Sequence, residues 1–155
     1  YIRREKCQGC FLCDYPKEKK DREYLILWRG KYVFIIMNRF PYNNGHVMIS
    51  PYRHVSDYEQ LTDDEILEIH YAMKLILKAL KNTMNPDGFN IGLNLGRVAG
   101  ASIYEHIHFH IVPRWLGDTN FMPVIAETKI ISEGIFKTYD ILKKEIEKII
   151  SRDEY

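Results

Sequence analysis

The 155-residue sequence has only three cysteines, and all of them fall between positions 7 and 13. A disulfide framework ties distant segments together and needs its cysteines spread along the chain. Cys7, Cys10 and Cys13 are therefore expected to be reduced thiols, available to a metal. No apolar run approaches the roughly 18 residues that a membrane span requires, so no membrane partner is expected. Residues Tyr1 to Lys6 lead into cysteines rather than into an apolar signal core, which makes a cytoplasmic setting the expectation. The 22 basic residues stand against 21 acidic ones, a formal charge of +1 with neutral histidine. That balance lacks the electrostatic footprint of a duplex nucleic-acid binder. No repeat, low-complexity tract or Pro/Gly/Ser linker divides the chain, so residues 1–155 are expected to form one domain.

What is present reads as short strands around one long helix. Tyr24 to Trp28 and Tyr32 to Met37 are rich in β-formers, with Gly30-Lys31 between them as turn chemistry. His46 to Ser50 reads as a third strand, closed by Pro51. Thr62 followed by Glu65 makes a capping box, and Ile66, Ile69, His70, Met73, Leu77 and Leu80 then recur at helical spacing. On that pattern His70 is a core histidine. Phe89 to Leu95 and His106 to Val112 alternate with period two, and Thr138 to Ile150 is amphipathic. Together these predict an α+β fold: an antiparallel sheet of about five strands, one long helix and a C-terminal helix.

The most informative run is Glu105-His106-Ile107-His108-Phe109-His110-Ile111-Val112. Alternation places His106, His108 and His110 on one face and Ile107, Phe109 and Ile111 on the other. Three neighbouring imidazoles in a core would each need polar partners, so that face must serve something polar. At ~3.3 Å per residue the outer two lie about 13 Å apart, too far for one ion to hold all three easily. An adjacent pair such as His108 and His110 on one ion stays open as a metallohydrolase reading, and a solvated strand face is the bland alternative. The third reading is a neutral imidazole working as a nucleophile at a phosphate. It gains from the upstream loop, where Asn94, Gly96, Gly100 and Ser102 offer close backbone approach and side-chain donors to an anion.

These residues resemble the histidine triad (HIT) family. His106 to Val112 is similar to its His-φ-His-φ-His-φ-φ signature. Asn94-x-Gly96-x-x-x-Gly100 is similar to its phosphate loop, and Asn38 through Gly45-His46 to Arg53-His54 resembles its nucleotide-binding N-terminal half. Pro113-Arg114-Trp115 with Gly117 to Pro123 resembles the branch of diadenosine tetraphosphate phosphorylases and hydrolases. The resemblance implies that His108 attacks the α-phosphate of a dinucleoside polyphosphate and forms a nucleotidyl-histidine intermediate. His110, Asn94 and Ser102 would hold the phosphate oxygens, although Ser102 stands one residue further from His106 than in many members. Asn38 would bind ribose, Ile36 would wall the base pocket, and His46, Gly100 and Arg114 would complete the nucleotide site. For Arg114 a solvated strand-end arginine is an equal alternative. A homodimer is implied, with adenine dinucleoside polyphosphate as substrate and Mg as that substrate's companion. Hydrolysis of adenosine phosphoramidates and nucleotide binding without turnover remain alternatives.

Cys10-Phe11-Leu12-Cys13 is a C-x-x-C pair with no βαβ pattern around it to suggest a redox site. A closed zinc site needs four N/S ligands, and the resemblance supplies His54 and His106 as the other two. Structural zinc on Cys10, Cys13, His54 and His106 would take His106 out of the chemistry. Buried or free thiols, or pairing of Cys7 with Cys10, are the alternatives.

Overall fold

A computed structural model describes residues 9–101, 105–118 and 133–153. Five strands form one antiparallel sheet: β1 (Ile26–Arg29), β2 (Val33–Met37), β3 (Val47–Pro51), β4 (Gly88–Leu93) and β5 (Phe109–Arg114), in the order β1-β2-β3-β5-β4. Two short helical turns, α1 (Phe11–Asp14) and α2 (Asp21–Tyr24), precede the sheet. The long helices α3 (Asp63–Met84) and α4 (Glu133–Asp153) complete it.

The helices cover one face. Leu27, Val33, Ile35, Val47, Ile49 and Ile111 of the strands meet Ile69, Leu75, Ile76 and Leu80 of α3 and Leu142, Ile146 and Ile149 of α4 in one apolar cluster. Thr62 caps α3 as its sequence predicts, with its hydroxyl accepting from the Glu65 N–H and Glu65 reaching back to the Thr62 N–H. The buried stripe is turned from the expected one. Ala72 and Ala79 lie wholly buried, whereas His70 is exposed, so it is not a core histidine. The two alanines bring the helix close to the sheet, and larger residues at neighbouring positions take the flanks.

Three strand boundaries shift for local reasons. Tyr24 ends α2 and Leu25 takes a left-handed φ of 64° as its cap, so β1 begins only at Ile26. β4 stops at Leu93, and Ile91 is 45% exposed although Phe89 and Leu93 pack on the helical core. The histidine strand begins at Phe109, not His106. Its partner β3 ends at Pro51, which has no N–H to extend the ladder. Residues 106–108 are held instead by the Ile107 N–H on the Val55 carbonyl (2.8 Å) and the Ser50 hydroxyl on the Ile107 carbonyl (3.2 Å). The two-faced alternation survives this: Ile107 and Ile111 are in the helical core, while His106, His108 and His110 look the other way.

The opposite face of the sheet carries a smaller cluster. Ile26, Phe34, Ile36 and Met48 of the strands pack there against Cys10, Leu12 and Cys13 of the N-terminal turn, with Phe11, Tyr15 and Tyr24 at its rim.

Candidate active site and metal centre

Beside that cluster lies a cavity of about 500 Å³, lined by Phe11, Tyr15, Tyr24, Ile36, Met37, Asn38, Arg39, Phe40, Met48, His108 and His110. Aromatic and aliphatic side chains form most of the wall; Asn38, Arg39 and the two imidazoles supply its polar groups.

The hydrogen bonds fix which nitrogen is available. His108 Nδ1 lies 2.9 Å from the carbonyl of His106, to which it can only donate. In the neutral ring the proton is then on Nδ1, and Nε2 keeps its lone pair. Burial pushes the His108 pKa down, so the neutral form holds at physiological pH. His46 sits behind His110, wholly buried, on the far side of the turn that Gly45 makes at φ +82°. A Cβ at that glycine would meet Met84 Sδ at 2.9 Å, so the turn also needs its missing side chain. The Tyr42 N–H donates to His46 Nδ1 at 3.2 Å, which leaves the proton on Nε2, and that nitrogen is 2.9 Å from His110 Nδ1. His110 therefore accepts on Nδ1 and bears its own proton on Nε2. Burial first, and then the neighbouring imidazoles, lower His46 to about 3 and His110 to about 4. The result is a lone pair on His108 and an N–H donor on His110 side by side, with ring centroids 4.8 Å apart. Such a pair can attack an electrophilic centre and hydrogen-bond an oxygen on it.

The other expected residues fall into three groups. Asn38 and Ile36 line the cavity; the Asn38 carbonyl oxygen accepts from the Phe40 N–H at 2.8 Å. Asn94 directly follows β4, whose register with β5 ends with Gly92 paired to His110 and Leu93 to Phe109. Gly100 closes an exposed turn at φ +91° after Arg97–Ala99. Neither of these two lines the cavity. Arg114 lies outside it as well: its guanidinium makes a two-pronged pair with Asp118 at 2.8 and 2.9 Å and reaches Asn90 at 2.6 Å. That pair holds the Asp118 carboxyl well below the usual carboxylate range, helped by the Trp115 N–H and Asn43. Ser102 and Cys7 lie outside the described residues. Phe11, Tyr15, Tyr24, Arg39 and Phe40 are lining residues that the sequence did not single out. They sit in turns and short helices with no periodic pattern to mark them.

A second constellation abuts the first. Ligand atoms of Cys10, Cys13, His54 and His106 all lie within 4.8 Å of one another. His106 Nδ1 is 3.4 Å from each sulfur and 3.1 Å from His54 Nδ1, and Cys13 Sγ is 3.2 Å from His54 Nδ1. His106 gives its Nε2 proton to the Pro51 carbonyl at 2.8 Å, so Nδ1 offers a lone pair to the centre. A tetrahedral zinc with Zn–N near 2.0 Å and Zn–S near 2.3 Å would separate its ligand atoms by roughly 3.3–3.8 Å. The spacing and donor types fit a metal. Cys13 is disulfide-bonded in this structure, and its sulfur would serve an ion in the reduced form. Cys10 is free, and burial raises its thiol pKa. Among the described residues no other group of three or more such side chains could share an ion. No helix among them is long and apolar enough to cross a membrane.

An antiparallel α+β fold with aligned histidines over an apolar pocket defines a class, and sequence comparison identifies it. The model of the HIT domain matches residues 19–115, more than half of the chain, and the chain belongs to that family. It is 46% identical over 125 residues to the AP-4-A phosphorylase of Mycobacterium tuberculosis, a match covering 81% of this chain and 64% of that protein. The chain thus spans a little under two thirds of that relative. It is 27% identical to the adenosine 5'-monophosphoramidase of Candida albicans, covering 91% of this chain and 93% of that one. Among solved structures, a Zn-bound histidine triad family protein from Mycobacterium smegmatis superposes with a TM-score of 0.75, at 21% identity and with 93% and 97% of the two chains covered.

Proposed function

We propose that this chain is a nucleotidyl hydrolase or transferase that cleaves dinucleoside polyphosphates of the diadenosine tetraphosphate type at the α-phosphate. His108 Nε2 attacks the α-phosphorus, a P–N bond forms, and the bond to the bridging oxygen breaks, its electron pair leaving with the polyphosphate. Water or inorganic phosphate then displaces the imidazole. His110 Nε2–H and Asn94 stabilise the phosphoryl oxygens as charge builds on them, and Ser102 has the same role in this reading. Ile36 and the aromatic wall receive the base, Asn38 the ribose, and Gly100 belongs to the phosphate loop. His46 positions His110 by fixing its tautomer. Arg114, committed to Asp118 and Asn90, has no part in the reading.

The observation that carries it is the His108 Nδ1–H bond to the His106 carbonyl, which leaves a neutral nucleophilic nitrogen beside a mostly apolar cavity. Reduced Cys10 and Cys13 with His54 and His106 would hold zinc as a structural tie between the N-terminal turn and the histidine segment. Mg, on this reading, arrives with the polyphosphate. A homodimer belongs to the same reading: β4 is an edge strand whose Ile91, with nearby Leu95, is 45% exposed.

The test is product identity. With diadenosine tetraphosphate, ADP plus ATP formed only in the presence of phosphate marks a phosphorylase. AMP plus ATP without it marks a hydrolase, and binding without products refutes turnover. The similarity along nearly the full length of an adenosine 5'-monophosphoramidase favours a second reading, hydrolysis of adenosine phosphoramidates, which the same assay with that substrate separates.

A further inference from the structure

The two histidines of the candidate metal centre are not equally supported. His106 gives its Nε2 proton to the Pro51 carbonyl at 2.8 Å, which turns Nδ1 toward the sulfurs of Cys10 and Cys13. His54 also faces the centre through Nδ1, 3.2 Å from Cys13 Sγ and 3.1 Å from His106 Nδ1. Its Nε2, however, is shielded from solvent and has no hydrogen-bond partner among the described residues. A buried ring nitrogen without a partner is costly, and native proteins rarely keep one without a use.

One group is placed to satisfy it. The Glu105 carboxylate stands 3.7 Å from His54 Nε2, its side chain 49% exposed against 15% for the histidine. That gap is roughly 0.5–1 Å longer than an N–H···O bond, so the two groups are neighbours without being bonded. The backbone holds them in this register: the Ile107 N–H donates to the Val55 carbonyl at 2.8 Å, which sets residues 105–107 alongside 54–55. An ion on His54 Nδ1 needs the lone pair of that nitrogen, so the ring proton must sit on Nε2, on the side of the carboxylate. Histidines that ligate metals regularly give this second N–H to a carboxylate or a backbone carbonyl. That bond fixes the tautomer and the ring orientation and makes the ligand more basic. Pro51 already serves His106 in this way.

We propose that Glu105 is a positioning residue of the metal centre, whose carboxylate accepts the His54 Nε2–H and holds Nδ1 toward Cys10, Cys13 and His106. The inference rests on the zinc reading of that cluster and adds to it a residue that itself touches no ion.

The experiment measures the zinc dissociation constant of the reduced chain by chelator competition. The wild type is compared with Glu105→Ala, Glu105→Gln and Glu147→Gln, each checked for native circular dichroism. Glu147→Gln removes the same charge from an exposed position on α4, which packs on the other face of the sheet. Glu105→Ala should bind zinc about 10- to 100-fold more weakly than the wild type. Glu105→Gln keeps an acceptor without the charge and should recover part of that loss, while Glu147→Gln should bind as the wild type does. Equal affinity of Glu105→Ala and the wild type overturns the proposal. So does a loss in Glu105→Gln as large as that in Glu105→Ala, or a matching loss in Glu147→Gln, because either would make the effect one of charge alone. Failure of the reduced wild-type chain to hold zinc would instead overturn the metal reading, and the positioning with it.

Discussion

The two faces of the histidine segment are built from interleaved residues and follow opposite rules. Ile107 and Ile111 point into the helical core, 3% and 0% exposed, and have no partners except carbon. His106, His108 and His110 point the other way, are also largely buried, and every ring has a named hydrogen-bond partner. On the first face any apolar side chain of the right volume would serve. On the second, each ring needs its particular tautomer, which a neighbour 2 to 64 residues away dictates. On the proposed reading, stability resides on one face and chemistry on the other, within a single stretch of backbone.

The sharpest way to break that comparison is His108→Ala. The proposed transfer should fall by at least roughly 1,000-fold, as expected when a nucleophile is removed, while circular dichroism and thermal unfolding stay near wild type. Comparable turnover in the variant would remove His108 from the chemistry. Metal analysis after reduction sharpens the result. Cys10→Ser should lose bound zinc and His108→Ala should keep it; zinc lost with His108 instead would favour an ion on the His108–His110 pair. The converse variant is Ile111→Ala, which deletes a wholly buried side chain from the helical cluster. It should cost about 2–5 kcal/mol of stability by chemical denaturation. The rate per folded molecule should change far less than in His108→Ala. A large rate loss with stability intact would mean that the faces are not separable.

Much of this was legible because period-two alternation needs only identities. The two-faced histidine segment, the Thr62 cap and the C-x-x-C pair rest on residue type and spacing, whereas the assembly of that pair with His54 and His106 came from the family resemblance. What was not legible depended on contacts between segments. The rotation of α3 that exposes His70 is set by how closely Ala72 and Ala79 let it approach the sheet, and alanine carries little weight in an apolar pattern. The start of β5 at Phe109 follows from a proline in another strand. Arg114 looked available because Asp118 is invisible as its partner until the backbone turns at Gly117. The aromatic lining comes from irregular segments, where no periodicity exists to read.

The smallest effect tests whether the second face is truly held neutral. An imidazole in the unfolded chain binds a proton near pH 6.5, whereas burial lowers His46 to about 3 and His106 and His110 to about 4. Below pH 6.5 the unfolded chain therefore takes up protons that the folded chain refuses. Stability should fall with acid between about pH 6.5 and 4, and it should be insensitive to these groups above pH 7. Between pH 7 and 5.5 each such ring contributes about 1 kcal/mol of that loss. His46→Asn removes one of them from behind His110. Its stability at pH 7 should drop, because a buried partner is lost, yet its further loss on going to pH 5.5 should be smaller than wild type's by about 1 kcal/mol. Denaturant midpoints at the two pH values give the difference directly. A variant that loses as much as the wild type would show that His46 takes up its proton without unfolding, and that the neutral relay from Tyr42 through His46 to His110 does not hold.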